Sequence, residues 1–255
     1  MFKFLTRRKH PSASTQPLPR APDGLRIYAV GDIHGRYDLL LQLQEQISVD
    51  AAEHPNKTKT VIYLGDYVDR GPDSHAVLEH LSTRPLLDFT AVFLKGNHEQ
   101  AMLDFLREPG AHADWLAYGG LATLSAYGIR AAARDLEQIA QEFRLALPQH
   151  HYHFLERLEM YHVVGGYLFV HAGIRPAVSL EHQSPNDLLW IRDTFLSYRK
   201  PHTHCVVHGH SVTDEAEFRA NRIGIDTGAF ATGRLSCLVL DGETQTLLDT
   251  WHASP

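Results

Sequence analysis

Residues 65–71 read GDYVDRG and follow the apolar run Val61-Ile62-Tyr63-Leu64. The heptapeptide places two carboxylates, Asp66 and Asp69, beside Arg70 and between two glycines. Carboxylate oxygens suit divalent cations, and a guanidinium fork suits a phosphate, so this spacing fits a site that holds metal ions and then a phosphoryl group. An ordinary strand-to-helix turn could carry the same residues, and the rest of the chain has to separate the two readings.

The same grammar recurs on either side. Residues 25–30 read as a strand that breaks into Gly31-Asp32-Ile33-His34-Gly35, followed by Leu39, Leu40, Leu43 and Ile47 at helical spacing. Residues 60–64 lead into GDYVDRG and a helix from about Asp73, with Asp73 or Ser74 as its cap and Val77, Leu78 and Leu81 inward. Residues 89–94 lead into Lys95-Gly96-Asn97-His98-Glu99 and a helix carrying Met102, Leu103 and Leu106. Three strand–loop–helix units predict parallel strands with helical crossovers, whose polar loops meet beyond the C-terminal strand ends.

Further along, Gly165-Gly166 between residues 161–164 and 167–170 predicts a hairpin, and its second strand ends in His171. Arg192 follows, then Val206-Val207-His208-Gly209-His210. Residues 223–250 alternate as short strands around Asp226-Thr227-Gly228 and suggest a second sheet packed on the first. Residues 107–149 read as a helical insertion beside the site with no evident ligand set. His150, His151 and His153 fall at a predicted helix start rather than at a strand end, and are not read as ligands.

The strand-end residues are therefore Asp32, His34, Asp66, Asn97, His98, His171, and His208 or His210. Strand alternation would place both of the last pair on one face. Mixed oxygen and imidazole donors favour manganese, iron or zinc over calcium. A carboxylate shared by two ions would hold them about 3.5–4 Å apart, and Asp66 is the natural bridge.

The 255 residues suffice for one α/β domain with a large core, expected over 24–255. Residues 1–23 carry Lys3, Arg7, Arg8, Lys9 and Arg20 with several prolines and serines, the composition of a flexible basic arm. A net charge of -6 gives no general attraction to nucleic acid or anionic membrane, and no apolar run is long enough to span a bilayer. Cys205 and Cys237 are expected as free buried thiols in a cytoplasmic protein. Neither lies in a phosphate-cradling loop, which argues against a cysteine nucleophile.

GDIHG at Gly31, GDYVDRG at Gly65, GNHEQ at Gly96, HAG at His171 and GH at Gly209 occur in one order between about Leu25 and Leu240. This set resembles the calcineurin-like metallophosphoesterases, and among them the phosphoprotein phosphatase branch in its bacterial and bacteriophage lambda form. The resemblance implies two mixed β-sheets in a sandwich flanked by helices, with a dinuclear metal site at the C-terminal strand ends. It implies that Asp32 and His34 hold one divalent ion, that Asp66 bridges, and that Asn97, His171 and His210 complete the second, with manganese favoured and iron or zinc as alternatives. His98 would be the general acid, Asp69 its orienting partner, and Arg70 and Arg192 the phosphate ligands. Val212 stands where many other metallophosphoesterases carry a further histidine, which fits the phosphoprotein phosphatase branch, and Lys95 replaces a common arginine.

The expected substrate is phosphoserine or phosphothreonine in a protein or peptide. Symmetrical diadenosine tetraphosphate hydrolases share this site and resemble residues 171–176, but typically read GDLVARG and GNHD where this chain has Asp69 and Glu99. A small-molecule phosphomonoesterase is a further alternative. An inactive phosphopeptide-binding module would be expected to have lost the acid or a ligand.

Overall fold

The computed structural model describes residues 19–83, 86–132 and 134–250. Strands β1 (Leu25–Val30), β2 (Thr58–Tyr63) and β3 (Phe89–Phe93) are parallel, with Val30 opposite Tyr63 and Tyr63 opposite Phe93. Helices α1 (Tyr37–Ala52) and α2 (Ser74–Thr83) make the crossovers, and α3 (Asn97–Arg107) follows β3. The three expected strand–loop–helix units are thus present. Ser74 is the first residue of α2, and its hydroxyl accepts from Asp69 N at 3.1 Å, so it belongs to the preceding loop's bonding.

A second sheet contains β4 (Tyr161–Val164), β5 (Tyr167–Val170), β6 (Cys205–His208), β7 (Glu217–Phe218) and β8 (Arg222–Gly224), in the order β4-β5-β6-β8-β7. The predicted hairpin pairs Val164 with Tyr167. The end of the chain departs from expectation. Strands β9 (Ser236–Asp241) and β10 (Thr244–Asp249) join the first sheet, in the order β10-β9-β1-β2-β3, with β9 antiparallel to β1. The reason lies in β9 itself: Cys237 and Val239 face one apolar layer, and Leu238 and Leu240 the other. A strand apolar on both faces needs an interior place, and the position beside β1 provides it.

Side-chain alternation builds the layers. Ile27, Ala29, Ile62 and Leu64 of the first sheet meet Tyr167, Phe169, Val207 and Ile223 of the second. On the outer face of the first sheet, Tyr28, Val30, Val61 and Tyr63 pack under α1, α2, α3 and the helices of the 107–156 region. That region contains a π-turn (Leu116–Gly120), α4 (Leu121–Ala126), α5 (Leu136–Ala146) and α6 (Gln149–Glu156). On the outer face of the second sheet, Leu168, Val170 and Val206 pack against α7 (Pro185–Trp190) and α8 (Asp193–Leu196).

Residues 19–23 belong to this fold rather than to a free arm. Ala21 is buried and its N–H bonds Gly242 O at 2.9 Å, while Arg20 O accepts from Gly166 N at 2.8 Å. The rest of the expected arm, residues 1–18, lies outside the described residues. Among the described residues, no helix is long and apolar enough to cross a membrane.

Candidate active site

Six parallel strands, β1, β2 and β3 in one sheet and β5, β6 and β8 in the other, end at the same rim of the sandwich. Their loops supply Asp32 and His34, residues 65–71, Asn97 and His98, His171, His210, and Asp226. The backbone there is forced out of its usual regions. His34, Asp66, Asp69, Arg70 and His210 all have positive φ, between 46° and 72°. Such values are uncommon in residues with a Cβ and tend to gather where a site demands one geometry. Backbone also approaches carboxylate very closely: a Cβ on Gly96 would stand 2.1 Å from Asp66 Oδ1, and one on Gly209 would stand 2.0 Å from Asp32 Oδ1.

The donor atoms face one another without the protons needed to bind one another. His34 Nδ1 lies 2.9 Å from Val68 O, and His171 Nδ1 lies 2.9 Å from Leu64 O. Each carbonyl takes the one proton of a neutral imidazole and leaves the Nε2 lone pair pointing inward. Those Nε2 atoms stand 3.4 Å from Asp66, His34 at Oδ2 and His171 at Oδ1. Asn97 Oδ1 stands 2.8 Å from both His171 Nε2 and His210 Nδ1, so on His171 it faces a lone pair rather than a proton. Asp32 Oδ2 accepts from His210 N at 2.9 Å, while the buried Asp32 Oδ1 and His210 Nε2 have no hydrogen-bond partner among the described residues.

Lone pairs facing carboxylate oxygens in a buried cluster repel unless cations lie between them. The two halves of the Asp66 carboxylate serve different histidines, so the donor set fits two divalent ions with Asp66 between them. Protonation states agree. Burial pushes His34 down to about 3, His210 down to about 2, and His171 down, leaving all three as neutral donors. Burial alone would raise Asp66, and it is positive charge at the ring of His171, His98, His34 and His210 facing it that holds the carboxyl well below its usual range.

His98 differs from its neighbours. Burial opposes its charged form, yet Asp66 and Asp69 together raise its pKa. Its Nδ1 lies 2.7 Å from Asp69 Oδ2, and its Nε2 faces Asp66 Oδ2 at 3.9 Å. Asp69 is fully buried and held on every side: Trp115 Nε1 donates to Oδ2 at 2.8 Å, and Thr123 Oγ1 donates to Oδ1 at 2.6 Å. Arg70 NH2 lies 3.1 Å from His98 Nε2, with its guanidinium 4.7 Å from the Phe230 ring centroid on α9 (Ala229–Thr232). Arg192 is exposed, and its charge reaches His171 and His210. At the rim, Trp190 sits edge-on to His210 at 6.1 Å and to Tyr118 at 6.2 Å.

The structure separates the two histidines left together by alternation. His208 shares the outer face with Val206, where its ring meets Phe195 at 5.1 Å and its Nε2 meets Arg222 NH1 at 3.3 Å. The strand ends at His208, and the left-handed turn at His210 breaks the alternation and carries that side chain into the site.

Sequence reasoning missed four supporting residues. Trp115 and Thr123 belong to the insertion read as having no ligands. Glu99 accepts from Asp66 N at 2.9 Å, Tyr67 N at 2.8 Å, Val68 N at 3.2 Å and Gly96 N at 2.9 Å, and so ties two site loops together. Asp226 sits beside Asp32, and burial raises it to about 6. Its signal was available, since DTG follows a short strand as the other motifs do.

The family profile of the calcineurin-like phosphoesterases matches residues 25–235. The chain belongs to this family. Among curated proteins, it is 32% identical over 218 residues to serine/threonine-protein phosphatase 2 of Escherichia coli, covering 82% of this chain and 90% of that one. It is also 32% identical over 161 residues to a symmetrical bis(5'-nucleosyl)-tetraphosphatase of Nitrosospira multiformis, covering 62% of this chain and 46% of that one. In fold, it is similar to a crystal structure described as a candidate diadenosine tetraphosphatase, with TM-score 0.62 and 23% identity over 90% of this chain and 96% of the other. This calcineurin-like phosphoesterase is accordingly a hydrolase of phosphoesters, with histidine and aspartate clusters able to hold divalent metals.

Proposed function

We propose that the chain hydrolyses phosphoserine and phosphothreonine monoesters in proteins, and the observation that carries this reading is the buried His98–Asp69 pair at 2.7 Å. A serine or threonine alkoxide is a poor leaving group, so its departure needs a positioned acid, worth about 10²–10⁴-fold. A phosphoanhydride has a better leaving group and depends less on such an acid. The 32% identity to a protein serine/threonine phosphatase over most of both chains supports the same substrate class.

In this mechanism, Asp32, His34 and Asp66 would hold one divalent ion, and Asp66, Asn97, His171 and His210 another, with manganese the preferred candidate. When bound, such a pair supplies an activated water and neutralises charge on the phosphoryl oxygens. Arg70 and Arg192 grip the remaining phosphate oxygens. A guanidinium only donates, so with Arg70 NH2 at 3.1 Å, His98 Nε2 is an acceptor in the resting arrangement. A phosphate anion draws Arg70 to itself and leaves Nε2 free to carry the proton that the alkoxide takes. Asp69 keeps Nδ1–H oriented and supports the imidazolium.

A second reading, dinucleoside tetraphosphate hydrolysis, is favoured by the exposed Tyr118–Trp190 pair, which offers a surface on which a base can stack. One experiment separates the two: manganese-dependent phosphate release from a phosphothreonine peptide, beside diadenosine tetraphosphate and a chelator control. The expected result is rapid, chelator-sensitive release from the peptide, with His98→Asn about 10²–10⁴-fold slower at unchanged metal content. Fast cleavage of the dinucleotide with little peptide turnover would replace the substrate assignment. Full peptide turnover by His98→Asn would remove the general acid.

A further inference from the structure

A second cluster of metal-binding side chains lies on the helical side, sharing no residue with the site above. Glu79 of α2 and His150 and His151 of α6 bring three donor atoms within 4.8 Å of one another. Glu79 Oε2 is 2.8 Å from His150 Nε2 and 3.0 Å from His151 Nε2. His153, two residues further on, points elsewhere, its Nδ1 lying 3.7 Å from Glu156. The histidine run at the start of α6 therefore resolves into two residues that meet an acid from another helix.

We propose that Glu79, His150 and His151 form a structural zinc site that clamps α2 to α6. His151 is fully buried, and its Nδ1 lies 2.7 Å from the Tyr127 hydroxyl. That hydroxyl can take the Nδ1 proton and turn the Nε2 lone pair toward Glu79, as an outer partner does for a metal-bound histidine. Two imidazoles and a carboxylate form a donor set that zinc accepts.

Size is also compatible. Ligands at zinc bond lengths in a tetrahedron stand about 3.3 Å apart. The observed 2.8 and 3.0 Å must open by only a few tenths of an ångström. The Glu79 and His150 side chains are 40% and 48% exposed, free enough to make that adjustment. A fourth protein donor stands nearby: His75, one helical turn before Glu79, has its ring 5.2 Å from that of His151. The clamp would also brace the catalytic pair, because Tyr127 ends the same short helix that carries Thr123, and α2 begins at Ser74, whose hydroxyl meets Thr123 Oγ1 at 3.0 Å.

The test loads chelator-stripped full-length protein with zinc, removes the excess by gel filtration, and measures zinc per chain by plasma mass spectrometry. Glu79→Gln and His150→Ala are exposed substitutions that spare the buried His151. Each is expected to hold one zinc per chain fewer than the parent. In an Asp66→Asn background, which disturbs the catalytic ions, adding Glu79→Gln is expected to remove the same single equivalent and the zinc-dependent rise in melting temperature. Equal zinc content in parent, Glu79→Gln and His150→Ala overturns the proposal and leaves a hydrogen-bonded trio only.

Discussion

Thr123 shows how far the support of a buried carboxylate can lie from its motif. Its hydroxyl donates to Asp69 Oδ1 at 2.6 Å and accepts from Asp69 N at 2.9 Å, across 54 positions of sequence. Thr123→Val keeps the volume but removes the donor to the buried Asp69 Oδ1, a cost of about 1–3 kcal/mol, while Asp69 N keeps the Ser74 hydroxyl as its acceptor. If His98 acts through Asp69, this variant should lower kcat and shift the limb of the pH profile that reports the acid, with KM and metal content held. Thr123→Ser should restore the profile. A purely structural role for Thr123 would lower stability and leave the pH profile in place. At this scale, the sequence displays residues that sit directly at a strand end, because a ligand type after an apolar run is visible within five positions. Trp115 and Thr123 reach the site through tertiary packing, and nothing adjacent to them advertises their partners.

At the scale of elements, Glu99 acts as a pin between the loops after β2 and β3. Its two oxygens accept from four backbone N–H groups, three of them in the loop that carries Asp66 and Asp69. Glu99→Gln turns an amide NH₂ toward N–H groups, so at least one buried donor is stranded, and the variant should lose roughly 2 kcal/mol or more of stability. Urea unfolding with an unchanged m-value and a lower midpoint is the expected signature. A midpoint equal to the parent's would mean that the loop is held without the pin. The helices and parallel strands were legible because their periodicities are strong over many residues. The placement of β9 and β10 was not, since a short two-faced apolar strand reads alike in either sheet. The turn at His210 was equally hidden, because alternation assumes that a strand continues.

Over the whole molecule, the two cysteines lie in different sheets, Cys237 on β9 and Cys205 on β6, both buried and unpaired. Burial pushes the Cys205 thiol up to about 12 and raises Cys237 well above its usual range. The thiolate is the reactive form, so native protein should resist a thiol-specific reagent such as a dithiobenzoate, and both thiols should titrate after denaturation. Prompt reaction of the native chain would contradict the burial of both sheets.

The position of β9 beside β1 also governs how the molecule comes into being. During synthesis, β1 emerges early, and β2 can pair with its one side as soon as residues 58–63 follow. The other side of β1 must wait for residues 236–241. For most of translation, the nascent chain therefore carries an open, apolar strand edge of the kind that recruits other chains. Closing it late joins residues about two hundred positions apart, a slow step by the logic of contact order. A ribosome that stalls before Ser236 would release a chain bearing every metal-binding motif but an unsealed sheet, a substrate for chaperones and proteases.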